Sequence, residues 1–226
     1  MFYFVLGIVL SYLLGSFPTA VVVSKVFFGF DIRTRGSGNM GSTNAFRQLG
    51  VFWGIVVQIV DILKGFIPTF FFPKVIIDYF GKSSELFWVD ELVLMFIFGF
   101  SAIAGHIWSV FVGFKGGKGI NTALGMLLAI SPLEVLICLG VFLLAFLSTG
   151  IVSIGSILAS FVYPLVIIIR YMILNHEYSN FPLLLIFSFL LFVLILFTHR
   201  ANIRRIINGT ENKFEQFKIF RMKKRK

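Results

Sequence analysis

Apolar runs long enough to cross a membrane follow one another along this chain of 226 residues. Hydrophobic residues make up 58% of the sequence and charged residues only 13%, an apolar excess that a soluble domain does not need. Roughly 20 apolar residues in a helix span the core of a bilayer, whereas a membrane β-barrel alternates polar and apolar residues. The sequence therefore predicts an all-α, polytopic membrane protein. The first run has no charged segment before it and is expected to be a retained span, not a cleaved signal peptide.

Seven transmembrane helices are predicted from the order of apolar and polar stretches. Gly15, Ser16 and Pro18 indicate close packing or a kink near the end of the first span. The run 120–147 is divided in two, because one unbroken helix would extend about 42 Å and because Ser131-Pro132 interrupts it. Residues 73–91 are expected to form a polar link. The predicted spans are 2–23, 51–72, 92–112, 120–130, 133–147, 151–173 and 182–198.

The distribution of basic residues sets the predicted orientation. With seven spans, sixteen of the twenty Lys and Arg fall on one side, ten of them in residues 199–226. The positive-inside rule makes this side cytoplasmic and places the N-terminus outside. Residues 120–130 either span or re-enter the membrane, and a re-entrant segment would require another span to compensate. Residues 1–198 are thus expected to form the membrane domain and 199–226 a cytoplasmic continuation with a basic tail. That tail suits anionic membrane lipid, and it contains no recognised nucleic-acid module.

Four glycines and two lysines are concentrated in residues 113–119, which we name the glycine-lysine loop. Successive backbone N–H groups that point inward form an anion nest, and a following helix would add partial positive charge at its N-terminus. The spacing differs from the Gly-x-x-x-x-Gly-Lys-[Ser/Thr] pattern of a nucleotide-binding P-loop. The residues alone leave two interpretations open, a phosphate site and a basic turn between two membrane helices.

Other polar residues also permit two interpretations each. The stretch 36–47 is rich in Ser, Thr, Asn and Gly, and it either holds a phosphate with Arg47 or caps the following helix. Asp61 and Lys64 share a helical face and form either an internal ion pair or part of a substrate site. His106 alone favours a hydrogen-bonded packing role. His199 and Asn202 suit proton handling or phosphate binding, or the end of a basic interfacial helix.

Together these blocks resemble the bacterial acyl-phosphate:glycerol-3-phosphate acyltransferases of the PlsY type, in both order and spacing. Small departures are Met40, where the family usually has a small residue or proline, Ser42, where alanine is common, and Trp108-Ser109 in place of an aromatic-proline pair. The residues that carry the resemblance are Gly36-Ser37-Gly38-Asn39, Gly41, Thr43-Asn44, Arg47, Leu49-Gly50, Asp61, Lys64-Gly65, Gly105-His106, Gly113 to Gly119, His199-Arg200, Asn202 to Arg205 and Gly209-Thr210-Glu211.

The resemblance implies an enzyme of the bacterial inner membrane, with its active site on the cytoplasmic side and no cofactor or metal. It would transfer a fatty acyl group from acyl phosphate to the 1-hydroxyl of glycerol 3-phosphate. Lys118 and the glycine-lysine loop would hold acyl phosphate, and Ser37, Arg47, His199 and Asn202 would position glycerol 3-phosphate. These five are the expected catalytic residues. Further expected substrate-binding residues are Gly36, Gly38, Asn39, Thr43, Asn44, Asp61, Lys64, His106, Lys115, Gly116, Gly117, Gly119 and Arg200.

Two points stay open at this stage. The base that deprotonates the attacking hydroxyl is either a substrate phosphate oxygen or His199, whereas Ser37 has no base near it in sequence that would favour a covalent role. A transporter or channel for phosphorylated solutes would also use intramembrane charges and an anion loop. Against transport, the predicted polar blocks gather on one face instead of lining a path through the membrane. A structural membrane subunit would need none of them.

Overall fold

All regular structure is helical in the part of the chain that the computed structural model describes, residues 2–80, 90–174 and 180–214. This confirms the all-α prediction for those residues. Single turns of 3-10 helix at Ile32–Thr34 and Val110–Val112 accompany the α-helices. The basic tail beyond residue 214 and residues 81–89 of the predicted polar link lie outside the described residues. The α-helices are α1 (Phe2–Ser16), α2 (Thr19–Phe28), α3 (Ser42–Gln48), α4 (Val51–Phe80), α5 (Glu91–Ile107), α6 (Ile120–Ile130), α7 (Pro132–Thr149), α8 (Val152–Ile173), α9 (Phe181–Thr198) and α10 (Arg200–Ile207).

Five helical segments within the described ranges are long and apolar enough to cross a membrane, and α1 with α2 makes a sixth if this bent pair is one span. α6 has only 11 residues, a length of roughly 16 Å, which is about half the thickness of the hydrocarbon core. The seven-span arrangement therefore stays a prediction. The five segments are Val51–Asp78, Glu91–Val112, Pro132–Thr149, Val152–Ile173 and Phe181–Thr198.

The predicted kink in the first span is confirmed. α1 ends at Ser16, α2 begins at Thr19, and the two helices are bent by 40°. Pro18 precedes α2 and has no backbone N–H to donate, so the helical hydrogen-bond ladder is interrupted at this point. α2 continues five residues beyond the predicted limit of 23 and ends at Phe28. Its C-cap is Gly29, whose φ of 69° is readily adopted only by glycine.

The second predicted span was too short. α4 extends to Phe80, with Pro68 and Pro73 inside it, whereas the sequence predicted a polar link from residue 73. Both prolines are buried, and a membrane helix tolerates proline where neighbouring groups satisfy the freed carbonyls. Ile76, beyond the second proline, packs in a cluster with Leu94 and Phe98 of α5. This apolar contact explains why the helix continues.

The division of residues 120–147 is confirmed at the predicted position. α6 ends at Ile130, Ser131 follows as its C-cap, and Pro132 is the first residue of α7. A proline at the first helical position costs the helix no hydrogen bond, since the N–H that it lacks would have no partner inside the helix. The same proline disfavours helical geometry at Ser131.

The chain forms two compact units, and the first comprises Met1–Pro132. Here α4 packs on α6 and α1 packs on α5. Glycines allow the backbones of α4 and α6 to touch. A Cβ added to Gly65 would lie 1.9 Å from the carbonyl oxygen of Thr122, and one added to Gly125 would lie 1.9 Å from that of Ile62. Larger side chains at either glycine would separate these helices.

The second unit comprises Leu133–Lys226, and the described part of it is built from α7 to α10. α8 packs on α9. The turn between α7 and α8 uses Gly150, with a φ of 73°. An ion pair between Glu134 of α7 and Arg170 of α8 links the other ends of these two helices. The segment after α10 returns to the turn, because the N–H of Phe214 donates to the carbonyl of Gly150 at 2.8 Å.

Candidate functional site

Asn44, near the start of α3, organises the loop that precedes this helix. Its Oδ1 accepts a hydrogen bond from the N–H of Ser37 at 3.1 Å. Its Nδ2 lies within hydrogen-bond distance of the carbonyls of Ile32, Arg35 and Asn39. The side chain is almost completely buried, at 1% exposure. Asn44 therefore fixes the loop conformation through contacts inside the protein, a role that the sequence did not predict for it.

Two glycines of this loop have left-handed backbone conformations. Gly36 has a φ of 59° and Gly38 a φ of 71°. A Cβ on Gly36 would lie 2.4 Å from Asn44 Oδ1, so this glycine is needed both for its conformation and for space. The N-cap of α3 is Gly41, which makes no side-chain cap. The capping of α3 by a side chain, one of the two interpretations that the sequence leaves open, is therefore not observed at the N-cap.

The polar side chains expected to meet substrate lie on this loop and on α3. Ser37 is exposed, and its hydroxyl is 3.5 Å from the N–H of Asn39. Asn39 in turn accepts from the N–H of Gly41 at 2.8 Å. Thr43 and Arg47 are four residues apart on α3, hence on one face, and both are half-buried. Ser37 and Arg47 thus belong to one compact segment whose shape Asn44 maintains.

An ion pair lies immediately before this segment. The carboxylate of Asp31 accepts from Arg33 at 2.7 Å and lies 3.3 Å from the ammonium of Lys25. The hydrogen bonds from Arg33 outweigh burial and hold the pKa of the Asp31 carboxyl well below its usual range. Asp31 is therefore ionised at any physiological pH and keeps the arginine in place at the start of the loop.

Asp61 and Lys64 form a buried ion pair in α4, with Nζ 2.6 Å from Oδ1. Asp61 also accepts from the hydroxyl of Thr19 at 3.0 Å, and Lys64 also donates to the carbonyl of Phe17. These two partners lie on either side of Pro18, where α1 gives way to α2. The observed contacts agree with the internal ion pair that the sequence left open, and they fasten the break in the first span to α4.

The glycine-lysine loop folds against the end of α5. The N–H of Gly117 donates to the carbonyl of His106 at 2.9 Å, and that of Gly116 donates to the carbonyl of Ile107 at 3.0 Å. Since these N–H groups have partners in the protein, they do not form the expected anion nest. A Cβ would lie 2.0 Å from the His106 carbonyl oxygen at Gly116 and 2.2 Å from His106 Nε2 at Gly117. Glycine is thus required here for close approach.

The remaining positive groups of the loop lie next to α6. Lys115 is exposed and Lys118 is half-buried. Gly119, with a φ of 79°, is the N-cap of α6. The first N–H groups of a helix lack partners in the helix and carry partial positive charge. Lys118 and the start of α6 therefore retain the features of an anion site that Gly116 and Gly117 do not supply.

His106 lies in the last turn of α5 and is 3% exposed. Its Nδ1 is buried, with no hydrogen-bond partner among the described residues. The side-chain hydroxyls of Ser16 and Thr122, in the same unit, are also buried and also have no hydrogen-bond partner among the described residues. This burial agrees with the packing role that the sequence favours for His106 alone, although the expected hydrogen bond at Nδ1 is not formed among the described residues. The substrate-binding role that the resemblance implies stays a prediction.

His199 connects α9 to α10 in the second unit and is 2% exposed. Its Nδ1 lies 2.9 Å from the carbonyl oxygen of Ile195. Since a carbonyl only accepts, we infer that Nδ1 carries the proton in the neutral ring and that Nε2 carries the lone pair. The neighbouring Arg200 is exposed and stacks over the ring of Phe197 at 4.4 Å.

Glu211 is the centre of a hydrogen-bond group that we name the Glu211 cluster, with Ser153, Asn202 and Arg205. Its Oε1 accepts from Asn202 Nδ2 at 2.6 Å and from the Ser153 hydroxyl at 3.0 Å, while Oε2 accepts from Arg205 Nε at 2.6 Å. Burial acts to raise the pKa of the Glu211 carboxyl, but these donors more than offset it and hold the pKa below its usual value.

The Glu211 cluster fixes the amide of Asn202. Because Nδ2 faces Glu211, the other amide atom, Oδ1, is left buried with no hydrogen-bond partner among the described residues. Asn202 therefore presents an acceptor and not a donor. The sequence places Glu211 in the last polar block but predicts no role for it or for Ser153. The sequence feature that could have identified Glu211 is an acidic residue that follows a basic helix and Gly209.

Replacing Glu211 with Gln is expected to lower the free energy of unfolding by about 1–2 kcal/mol at neutral pH, because Arg205 loses a charged acceptor. The pKa of Glu211 is depressed, so its stabilisation is present above the unfolded value of about 4.3. It is lost as the pH falls through the folded pKa. Thermal unfolding in detergent should show a wild-type advantage at pH 7 that shrinks in acid. Lys213→Ala, at an exposed position, is the control. A difference independent of pH would contradict this assignment.

Comparison with known proteins finds the same family that the polar blocks resemble. A family model for glycerol-3-phosphate acyltransferase matches residues 5–209. The glycerol-3-phosphate acyltransferase of Chlorobaculum tepidum is 44% identical over 223 residues, covering 91% of this chain and 94% of the relative. That of Chlorobaculum parvum is 42% identical, with the same coverage.

A solved structure also shares the fold. A crystal structure of PlsY (YgiH), an integral membrane glycerol 3-phosphate acyltransferase, in its glycerol 3-phosphate form superposes with a TM-score of 0.78 at 35% identity. The match covers 94% of this chain and 96% of that one. The lysophosphatidic acid form of PlsY gives a TM-score of 0.76 at 33% identity, with 95% and 97% covered. This chain therefore belongs to the glycerol-3-phosphate acyltransferase family.

Proposed function

We propose that this protein transfers a fatty acyl group from acyl phosphate to the 1-hydroxyl of glycerol 3-phosphate. The products are lysophosphatidic acid and inorganic phosphate, and the reaction is the first step of phospholipid synthesis. The observation that carries the proposal is the family match over residues 5–209, since this range includes residues 36–47, the glycine-lysine loop and most of the polar block from His199 to Glu211. The resemblance of those blocks to the PlsY type supports acyl phosphate as the donor.

The chemistry requires positioning and charge stabilisation more than covalent catalysis. The hydroxyl oxygen attacks the acyl carbonyl carbon and forms the ester bond. The bond from that carbon to the bridging oxygen breaks, and phosphate leaves with the bonding electrons. An acyl phosphate is a mixed anhydride, so its leaving group is already good. Preorganised donors and the alignment of two bound substrates then supply the remaining acceleration. The hydroxyl proton goes to a substrate phosphate oxygen or to His199.

In the first unit, Ser37 and Arg47 position the phosphate of glycerol 3-phosphate, and Lys118 with the start of α6 holds acyl phosphate. Three observations support these roles. The Ser37 hydroxyl is exposed, an arginine binds phosphate through two parallel hydrogen bonds, and Lys118 directly precedes the N-cap of an 11-residue helix. Other expected substrate-binding residues of the first unit lie in these two loops, in α3 and at the end of α5, and they serve by shaping the two sites. They are Gly36, Gly38, Asn39, Thr43, Asn44, His106, Gly116, Gly117 and Gly119.

In the second unit, His199 and Asn202 position glycerol 3-phosphate. The proton on His199 Nδ1 leaves Nε2 as the nitrogen that can accept a proton from a hydroxyl. Asn202 Oδ1 is a buried acceptor without a partner among the described residues, and a buried acceptor of this kind suits a hydroxyl donor of the substrate. Arg200 is exposed and contributes positive charge at this end of the unit.

The proposed membrane arrangement has seven spans, with the N-terminus outside and the C-terminus and active site on the cytoplasmic side of the bacterial inner membrane. Sixteen of the twenty Lys and Arg then lie on the cytoplasmic side. In this arrangement α1 and α2 form one bent span and α6 accounts for a short one. Membrane lipids surround the apolar helices, and the acyl chain of the donor enters from the bilayer.

Purified protein in lipid nanodiscs, incubated with palmitoyl phosphate and glycerol 3-phosphate, tests this function. We expect lysophosphatidic acid and phosphate to appear in a 1:1 ratio. The rival function, transport of phosphorylated solutes, predicts neither product. It predicts uptake of labelled glycerol 3-phosphate into liposomes that contain the protein. Uptake without product would overturn the proposed function.

A further inference from the structure

A hydrogen bond joins the beginnings of two helices that are distant in sequence. The Nδ2 of Asn121 donates to the hydroxyl of Ser42 at 2.8 Å, across a separation of 79 residues. Ser42 is the first residue of α3, and Asn121 is the second residue of α6. Ser42 is buried, and Asn121 is partly buried. A bond in this setting is shielded from the water that would otherwise compete for both groups.

Neither side chain is used for the local task that its residue type usually performs. Ser and Asn at the start of a helix commonly bond to nearby backbone N–H groups. In this protein the N-caps of α3 and α6 are Gly41 and Gly119, and neither helix has a side-chain cap. The polar groups of Ser42 and Asn121 instead bond to each other. The bond therefore acts between elements and fixes the start of α3 against the start of α6.

Each of these helices carries part of the proposed phosphate-binding machinery. Ser42 lies two residues before Asn44, which holds the loop of Ser37, and five residues before Arg47. Asn121 lies three residues after Lys118. α3 and α6 both pack on α4. A direct hydrogen bond between α3 and α6 can therefore set the distance between these two helices along α4.

We propose that Ser42 and Asn121 are positioning residues for acyl transfer. Their hydrogen bond sets the distance between the Ser37–Arg47 segment and Lys118, and so aligns the two bound phosphate-bearing substrates. This inference rests on the proposed function. Each phosphate site is complete without the bond, so misalignment lowers the rate within the complex of both substrates and leaves the binding of each one nearly unchanged.

The test compares Ser42→Ala, Asn121→Ala and the double variant with wild type, with kcat and the KM for each substrate measured separately. We expect each single variant to lose roughly fivefold in kcat, the usual effect of one hydrogen bond, with both KM values and the melting temperature retained. The double variant should lose no more than either single one, because one bond is removed in all three. Ser42→Thr keeps a hydroxyl and should keep the rate.

The matched control is Ser101→Ala, which removes a half-buried serine hydroxyl in the same unit that donates to the carbonyl of Ile97 in its own helix. Unchanged kcat in both single variants would overturn the inference. So would a double variant that loses roughly 25-fold, the product of two independent effects, or an equal loss in Ser101→Ala. Acyl transfer by the wild-type protein is measured before any variant is compared. Its absence would overturn the proposed function itself.

Discussion

Replacing Lys64 with Met is expected to lower the free energy of unfolding by about 3–5 kcal/mol, because it leaves a buried carboxylate without its counter-charge. The side chains of Lys64 and Asp61 are only 5% and 2% exposed. Methionine keeps an unbranched side chain close to the length of lysine but cannot neutralise Asp61. It also removes the donor to the Phe17 carbonyl at the break between α1 and α2. Chemical unfolding in detergent measures the effect.

The double variant Asp61→Asn with Lys64→Met should recover most of the lost stability, since no buried charge remains. Lys74→Met on the same helix is the control, because Lys74 is exposed. Equal stability of Lys64→Met and Lys74→Met would show that the ion pair does not hold the break. A double variant that is stable but has a much higher KM for glycerol 3-phosphate would instead favour the substrate-binding role expected from the family resemblance.

Replacing Lys118 with Ala is expected to lower kcat/KM by about 100- to 1,000-fold, in the range seen when one donor to a developing anion is removed. The melting temperature should change little by comparison, because Lys118 is half-buried at the start of α6 and not part of a packed core. Steady-state kinetics with varied acyl phosphate measures the loss.

Lys115→Ala is the matched control for Lys118. It removes a lysine from the same loop at an exposed position, where we expect only a few-fold change from the lost long-range attraction of an anionic substrate. Near-wild-type activity in Lys118→Ala would contradict its assignment to the phosphate of the donor. Equal losses in both variants would mean that only the net charge of the loop matters.

Much of the fold was predictable because membrane helices obey simple rules of length and polarity. The kink before Thr19 and the end of α6 at Ile130 both follow from prolines, whose effect on the backbone is local. Pro73 has the same local effect, yet α4 continues through it. The contact of Ile76 with α5 decides this, and a contact between distant segments has no signature in a short stretch of sequence.

The sequence predicts a set of residues for the candidate site, but it predicts few of the contacts that those residues make. The glycine pattern of residues 113–119 suggested N–H groups directed at a ligand, but Gly116 and Gly117 are directed at the last carbonyls of α5. Glycine is required by a phosphate nest and by close backbone approach alike, so its presence does not distinguish them. The central position of Glu211 depends on Ser153, 58 residues earlier, and no spacing rule connects the two.

The donor specificity of the purified protein is the most direct test of the proposed acyl transfer from acyl phosphate to glycerol 3-phosphate. Wild-type protein in nanodiscs would receive glycerol 3-phosphate with palmitoyl phosphate or palmitoyl-CoA at equal concentration, and lysophosphatidic acid would be measured by mass spectrometry. We predict product from palmitoyl phosphate, with one phosphate released for each acyl group transferred, and none from the CoA thioester. Product from palmitoyl-CoA alone, or from neither donor, would contradict it.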